Sequence, residues 1–201
     1  LKDENNKLGI LKIKEYAFRQ ATNAKNVVLP DSVTTIETLI FSYHNGINVQ
    51  VGKNAKDIHH NFNYGNTTGK VTIDSNNNYY TIEDNILYNK DKTEICSVFY
   101  WIKGEFKLKD TVKIIGDYAF HYQGEMTKIT LPEGITQINN SFNWCGGLTE
   151  IDIPSTVKQI DGGCFAGCNN LSNINIKQAE NAISGAPWGA AKGMKVINWN
   201  R

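Results

Sequence analysis

The sequence predicts a repeat solenoid built mainly of β-strand. Three observations predict it. A large aromatic residue recurs every 21–23 residues over most of the chain, an apolar pair with strand-like alternation follows it at a fixed distance, and a proline closes that pair in three copies. Self-similarity at this period marks a repeat architecture. Each unit is too short to bury its own apolar face, so stacked units must share one core.

The aromatic anchors are Phe18, Phe41, Phe62, Phe120, Phe142, Phe165 and Trp188, and only the step from Phe62 to Phe120 is long. Nine and eleven residues after an anchor come Val27/Leu29, Val71/Ile73, Ile129/Leu131, Ile151/Ile153 and Ile174/Ile176, with Val49/Val51 one place early. Alternation with polar neighbours is the period of a half-buried strand. Pro30, Pro132 and Pro154 follow at once and cannot donate to a ladder, so each strand ends there. The steps Val33–Ile36, Val112–Ile115, Ile135–Ile138 and Val157–Ile160 carry the chain to the opposite wall. Segments rich in Gly and Asn make the return turns. The Ile-x-Ile strands should therefore stack in parallel at ~4.8 Å. The segment at 177–201 keeps the spacing, with Trp188 in the anchor place, and reads as a C-terminal cap; the pattern already running by Ile13 reads as part of a longer protein.

Residues 75–106 interrupt the repeat. Asn85–Asn89 and Thr93–Phe99 are strand-like, with a turn signal at Asn89–Lys92, and read as a β-hairpin. The stretch is rich in rings, among them Tyr88, Tyr100 and Trp101. Such rings either seal the hairpin on the solenoid or form a contact patch, since Tyr and Trp are enriched at interface hot spots.

ITLPEGITQI, IDIPSTVKQIDGGCFAGCNNL and VKIIGDYAFHYQGEM together resemble the BspA-like leucine-rich-repeat family of bacterial surface proteins. The resemblance runs from about Ile13 to Trp199 and includes the hairpin, where Asp84–Asn85 stands in place of the family's Asp-Gly. It implies a right-handed leucine-rich-repeat superhelix with short helical or 3-10 turns and a β-hairpin insertion. On that reading residues 1–201 form one domain of about seven coils. It also implies an exported or surface-attached bacterial protein that mediates adhesion or contact with host or neighbouring cells.

The formal charge of +1 argues against a nucleic-acid or anionic-membrane surface. No apolar run approaches the ~20 residues of a membrane span, and the charged start LKDENNK does not read as a signal peptide. No nucleophile elbow, phosphate loop, zinc-protease or dinucleotide motif occurs, so no catalytic residue and no cofactor is assigned. His59–His60 lack the further ligands of a metal set, and His44 and His121 read as turn residues. Cys145 and Cys168 each follow an anchor by three and should be spatial neighbours. They are within reach of a disulfide, but buried thiols are the better reading because free Cys packs as a small apolar group.

Eight and ten residues after an anchor, side chains should point outward. These positions are Asn26/Val28, Lys70/Thr72, Lys128/Thr130, Glu150/Asp152 and Asn173/Asn175; the shortened coil offers Asn48/Gln50, and Glu105/Lys107 fit the same strand phase after the hairpin. A polar face without rings disfavours stacked carbohydrate and fits a protein partner. The expected contact residues are thus Asn26, Lys70, Thr72, Glu105, Lys107, Lys128, Thr130, Glu150, Asp152, Asn173 and Asn175 on the sheet face, or Tyr88, Tyr100 and Trp101 on the hairpin. The function expected is that of a monomeric, non-catalytic protein-interaction module. The alternative is a spacer that displays another domain.

Overall fold

The structure, a computed structural model, describes residues 11–19, 21, 23–41, 46–59, 69–190 and 196–200. The expected anchor Phe62, the apolar position Met194, and His44 and His60 lie outside the described residues. Two compact units are present: Leu1–Asp91 with Val98–Tyr100, and Lys92–Ser97 with Trp101–Arg201. Each is a stack of parallel strands in the leucine-rich-repeat manner.

In chain order the first unit holds β1 (Lys12–Ile13), β2 (Asn26–Leu29), β3 (Thr35–Ile36), β4 (Asn48–Val51), β5 (Asp57–Ile58), β6 (Val71–Ile73), β7 (Tyr80–Glu83) and β8 (Ile86–Asn89). Strands β2, β4 and β6 form the main parallel sheet, with Val27 opposite Val49 and Val49 opposite Val71. The two-residue strands β1, β3 and β5 form the opposite wall. Prolines and the residues three further on make the corner between walls: Val33 donates to the Pro30 carbonyl at 2.9 Å. After β4 the proline is replaced by Gly52, and the reason is space. A Cβ there would lie 2.8 Å from the Pro30 carbonyl carbon and oxygen.

Strand β9 (Glu94–Val98) gives all but its last residue to the second unit, which continues with β10 (Gly104–Lys107), β11 (Ile114–Ile115), β12 (Met126–Thr130), β13 (Gln137–Ile138), β14 (Glu150–Ile153), β15 (Gln159–Ile160), β16 (Asn173–Ile176) and β17 (Val196–Trp199). Strands β10, β12, β14, β16 and β17 form its main parallel sheet. Strands β9, β11, β13 and β15 line the other wall.

Between the walls of the second unit runs the aromatic column that the spacing predicts. Phe120, Phe142, Phe165 and Trp188 are fully buried. Their successive ring centroids are 5.3, 5.8 and 6.5 Å apart. Phe106 stands before them at 5.8 Å and Trp199 after them at 6.4 Å. Such ring pairs each contribute about 0.5–1.5 kcal/mol beyond area burial. In the first unit Phe18 and Phe41 stack at 5.1 Å.

The short helical or 3-10 turns expected at the anchors are isolated hydrogen-bonded turns instead; no helix occurs among the described residues. The hydrogen bonds explain this. Ala119, His121 and Gln123 donate back three residues, whereas Tyr118, Phe120 and Tyr122 donate across to Asn140, Ser141 and Asn143 of the next coil. Alternate donors are thus diverted, and a helix needs every one of them. The thiols follow the same coil-to-coil logic. Cys145 donates its S–H to the Phe120 carbonyl and Cys168 to the Phe142 carbonyl, each at 2.9 Å. All four cysteines are free, and Cys145 and Cys168 are neighbours. Burial raises the thiol pKa of Cys145 and of Cys164.

Candidate functional site

The expected sheet-face residues alternate with buried ones, as a half-buried strand requires. In the first unit Asn26 and Asn48 stand in register, and the Asn48 carboxamide nitrogen donates to Asn26 Oδ1 at 3.0 Å. Asn48 Oδ1 in turn accepts from the Lys70 backbone N–H at 3.1 Å. Val28, Gln50 and Thr72 form the parallel row. A hollow of about 270 Å³ lies over these two rows.

A strand that the sequence reading did not give, β7, precedes the two expected arms of the hairpin. Strands β7 and β8 pair antiparallel, Tyr80 opposite Asn89 and Glu83 opposite Ile86. Asp84 and Asn85 make the turn, with φ of 51° and 58°. Two successive left-handed residues define the tight turn that matches strand twist, and Asp and Asn tolerate that backbone. The arms that the sequence indicated do form, as β8 and β9, and the Asn85 carbonyl accepts from the Phe99 N–H at 2.9 Å. Strand β7 is therefore an additional arm.

Asn85 also fastens the turn to the main sheet. Its Oδ1 accepts from the Val71 N–H and its Nδ2 donates to the Gly69 carbonyl, both at 3.0 Å. The turn and the start of β6 border an open cavity of about 710 Å³ whose lining includes Lys70, Thr72, Ile82, Asp84, Asn85 and Tyr100. Lys70 and Thr72 border the smaller hollow as well. Residues expected at two separate surfaces, Lys70 and Thr72 on the sheet and Tyr100 on the hairpin, thus meet at one site.

Tyr100 is half-buried. Burial and the Asp84 carboxylate raise its hydroxyl pKa. Tyr88 has to be removed from the contact set, because it is 1% exposed. Both faces of β8 are covered, with Ile86, Leu87 and Tyr88 all buried, so alternation leaves no outward ring there. Burial, with Glu83, Tyr100 and Asp84 adding, pushes its hydroxyl up to about 12. Trp101, in the second unit, is 50% exposed.

The remaining expected residues line the main sheet of the second unit. Glu105, Lys128, Glu150 and Asn173 stand in one register row, and Lys107 faces Thr130. Charges of opposite sign on directly opposed strands are mutually favourable. Asp152, Asn175 and Asn198 form a second row joined by side chains: Asn175 donates to Asp152 and Asn198 to Asn175, each at 2.8 Å.

Two exposed rings escaped the sequence reading. Tyr122 and Trp144, 40% and 50% exposed, stack at 5.8 Å with 9° between their planes. Both have φ of 61°. The third place in this column is Gly167, and the Trp144 ring lies where a Cβ would be, 2.7 Å away at its nearest. Their common position, two residues after an anchor, was the available signal.

No group of three or more His, Cys, Asp and Glu residues able to hold a metal occurs among the described residues. His59 lies 3.4 Å from Asp57. No helix among the described residues is long and apolar enough to cross a membrane.

Comparison with solved structures gives the same fold. A leucine-rich repeat protein from Eubacterium ventriosum is 23% identical with a TM-score of 0.60, over 86% of this chain and 58% of that one. The pneumococcal vaccine antigen PcpA is 18% identical with a TM-score of 0.66, over 98% and 61%. A leucine rich cell surface protein from Faecalibacterium prausnitzii is 19% identical with a TM-score of 0.55, over 92% and 62%. The chain thus spans about three fifths of the structures it matches. No curated protein matches it in sequence. The model of the BspA type leucine rich repeat region matches residues 5–102 and 97–188, and with nearly the whole length so covered the chain belongs to that family.

Proposed function

We propose that residues 1–201 act as one non-catalytic protein-binding domain of a bacterial surface protein, in adhesion or contact with host or neighbouring cells. The observation that carries this reading is the outward sheet face. In both units its charged and amide side chains are held in register rows, and in the first unit those rows run into a cavity edged by Tyr100. Extended repeat surfaces of this kind suit proteins better than small substrates. The surface location rests on likeness to the Faecalibacterium cell surface protein.

The test is a pull-down from host matrix and cell-surface proteins with the intact chain, Glu150→Lys/Asp152→Lys, Lys70→Met and Tyr100→Ala, after circular dichroism shows each variant folded. Binding through the sheet face weakens with salt, because exposed charges are screened beyond ~8–10 Å at physiological ionic strength. Loss in the sheet-face variants supports the reading. Binding unaffected by all of them, or no specific partner at micromolar concentration, overturns it.

A further inference from the structure

The cavity beside the hairpin turn carries two opposite charges that do not neutralise each other. Lys70 and Asp84 both line it, and both are exposed. Among the described residues neither side chain makes an ion pair, whereas in the same unit Lys12 meets Glu37 at 2.6 Å and Lys53 meets Asp31 at 3.3 Å. Here a charged residue on one coil has met its complement on the next; at the cavity the repeat is interrupted and the complement is missing.

The lining groups fall into two sets. Asp84 shares the cavity with Tyr100 and lies near enough for its carboxylate to act on the phenol. A carboxylate next to a phenol ring suits a cation, which gains a charge-assisted hydrogen bond and a ring contact together. Burial first, and the Asp84 carboxylate after it, raise the titration of Tyr100. In the other set, Lys70 and Thr72 also border the hollow over the rows of Asn48 and Gln50. An ammonium among amides and a hydroxyl suits a carboxylate, with the amides left to meet a polar backbone. A polyanion such as nucleic acid would be repelled at Asp84, and a free metal ion would meet one carboxylate and one ammonium. The cavity volume and its continuity with the hollow over β2, β4 and β6 fit several side chains of an extended chain.

Building on the binding function proposed above, we propose that this cavity takes an extended segment of a partner protein bearing a basic and an acidic side chain close together, the basic one between Asp84 and Tyr100 and the acidic one on Lys70. Charge complementarity of this kind sets specificity and register.

The test uses the intact chain and a random 12-residue peptide display library, followed by fluorescence polarisation with the enriched peptides. Enriched sequences are expected to carry Lys or Arg within about four residues of Asp or Glu, the reach of a short extended segment. Asp84→Asn and Lys70→Met should each lower affinity by about 2–5-fold, the range for an exposed charge pair. The decisive measurement is a double-mutant cycle. Asp84→Asn should cost nothing further against a peptide whose basic residue is replaced by norleucine, and Lys70→Met nothing further against one whose acidic residue is amidated. Peptides that need Tyr100 but carry no charge pair, or cycles without coupling, overturn this inference and leave the protein-binding function standing. Failure to enrich any peptide, or binding of glycans on an array in their place, overturns both.

Discussion

Replacing Phe142 with Ala should remove the middle of the aromatic column, and its cost follows from the geometry. The ring is fully buried and lies between Phe120 at 5.3 Å and Phe165 at 5.8 Å, within 18° and 9° of parallel. Both neighbours are held by their own coils, so neither can move in to fill the space. The expected loss is therefore the full value for a buried ring, about 3–5 kcal/mol. For a chain of this size that lowers the melting temperature by about 6–20 °C. Trp144→Gly is the control two residues away. It removes a larger ring, but one that is half exposed and sits on a backbone with φ of 61°. Relief of about 1 kcal/mol of left-handed strain offsets the lost stacking on Tyr122, so stability should stay within about 1 kcal/mol of the parent. Urea unfolding followed by circular dichroism measures both. A Phe142→Ala loss under about 1 kcal/mol, or a Trp144→Gly loss equal to it, would refute the column as the source of cohesion in the second unit.

Two further expectations concern titratable groups. In the native state an alkylating reagent should modify half-buried Cys96 first and spare Cys145, Cys164 and Cys168, while four labels should appear after denaturation, as counted by intact mass; fewer than four would mean a disulfide. Burial, with the Asp117 carboxylate adding, raises the pKa of Glu94, so its contribution to stability is complete below about 4.3, the unfolded value, and is lost as pH rises through the folded value. Glu94→Gln should then be more stable than the parent at pH 7, with the difference shrinking as pH falls toward 4; equal stability of the two at every pH would exclude the effect.

What the sequence made legible was what the stacking repeats. Phe120, Phe142, Phe165 and Trp188 could be placed in one column from spacing alone, because each coil contributes one residue to each position of the shared core. The polar phase of the strands was equally plain, and Lys128 does stand between Glu105 and Glu150. The bonds along those rows were not legible, since the Asn48–Asn26 and Asn198–Asn175 contacts exist only once the register is fixed. Strand β7 was missed for a local reason. All four of its residues are half-buried, so Tyr80–Glu83 shows no alternation, and its turn lacks the glycine that usually announces a hairpin. Tyr88 was misread because β8 is covered on both faces. The cavity was out of reach because it joins residues 70–72, 84–85 and 100, which no periodicity relates.

The place where the repeat stops is therefore where this chain has the most freedom to be specific. Within a stack, every inward position is fixed by the coil above and below, and the outward rows are largely occupied with one another. The main sheet of the first unit ends at β6. An open edge exposes unpaired backbone groups and invites unwanted pairing. Asn85 closes part of it with two hydrogen bonds from one carboxamide, to the N–H of Val71 and the carbonyl of Gly69. A side chain can do this where another strand is absent because the left-handed turn aims it back at the sheet. Closure by a turn in place of a coil leaves space beside the edge, and that space is the cavity. Asp84 is presented at its rim by the same turn, and Lys70 by the strand that the turn protects. The device that guards the edge thus also creates a concave site in the first unit lined by charges of both signs, and that is what makes it the place to look for the proposed partner.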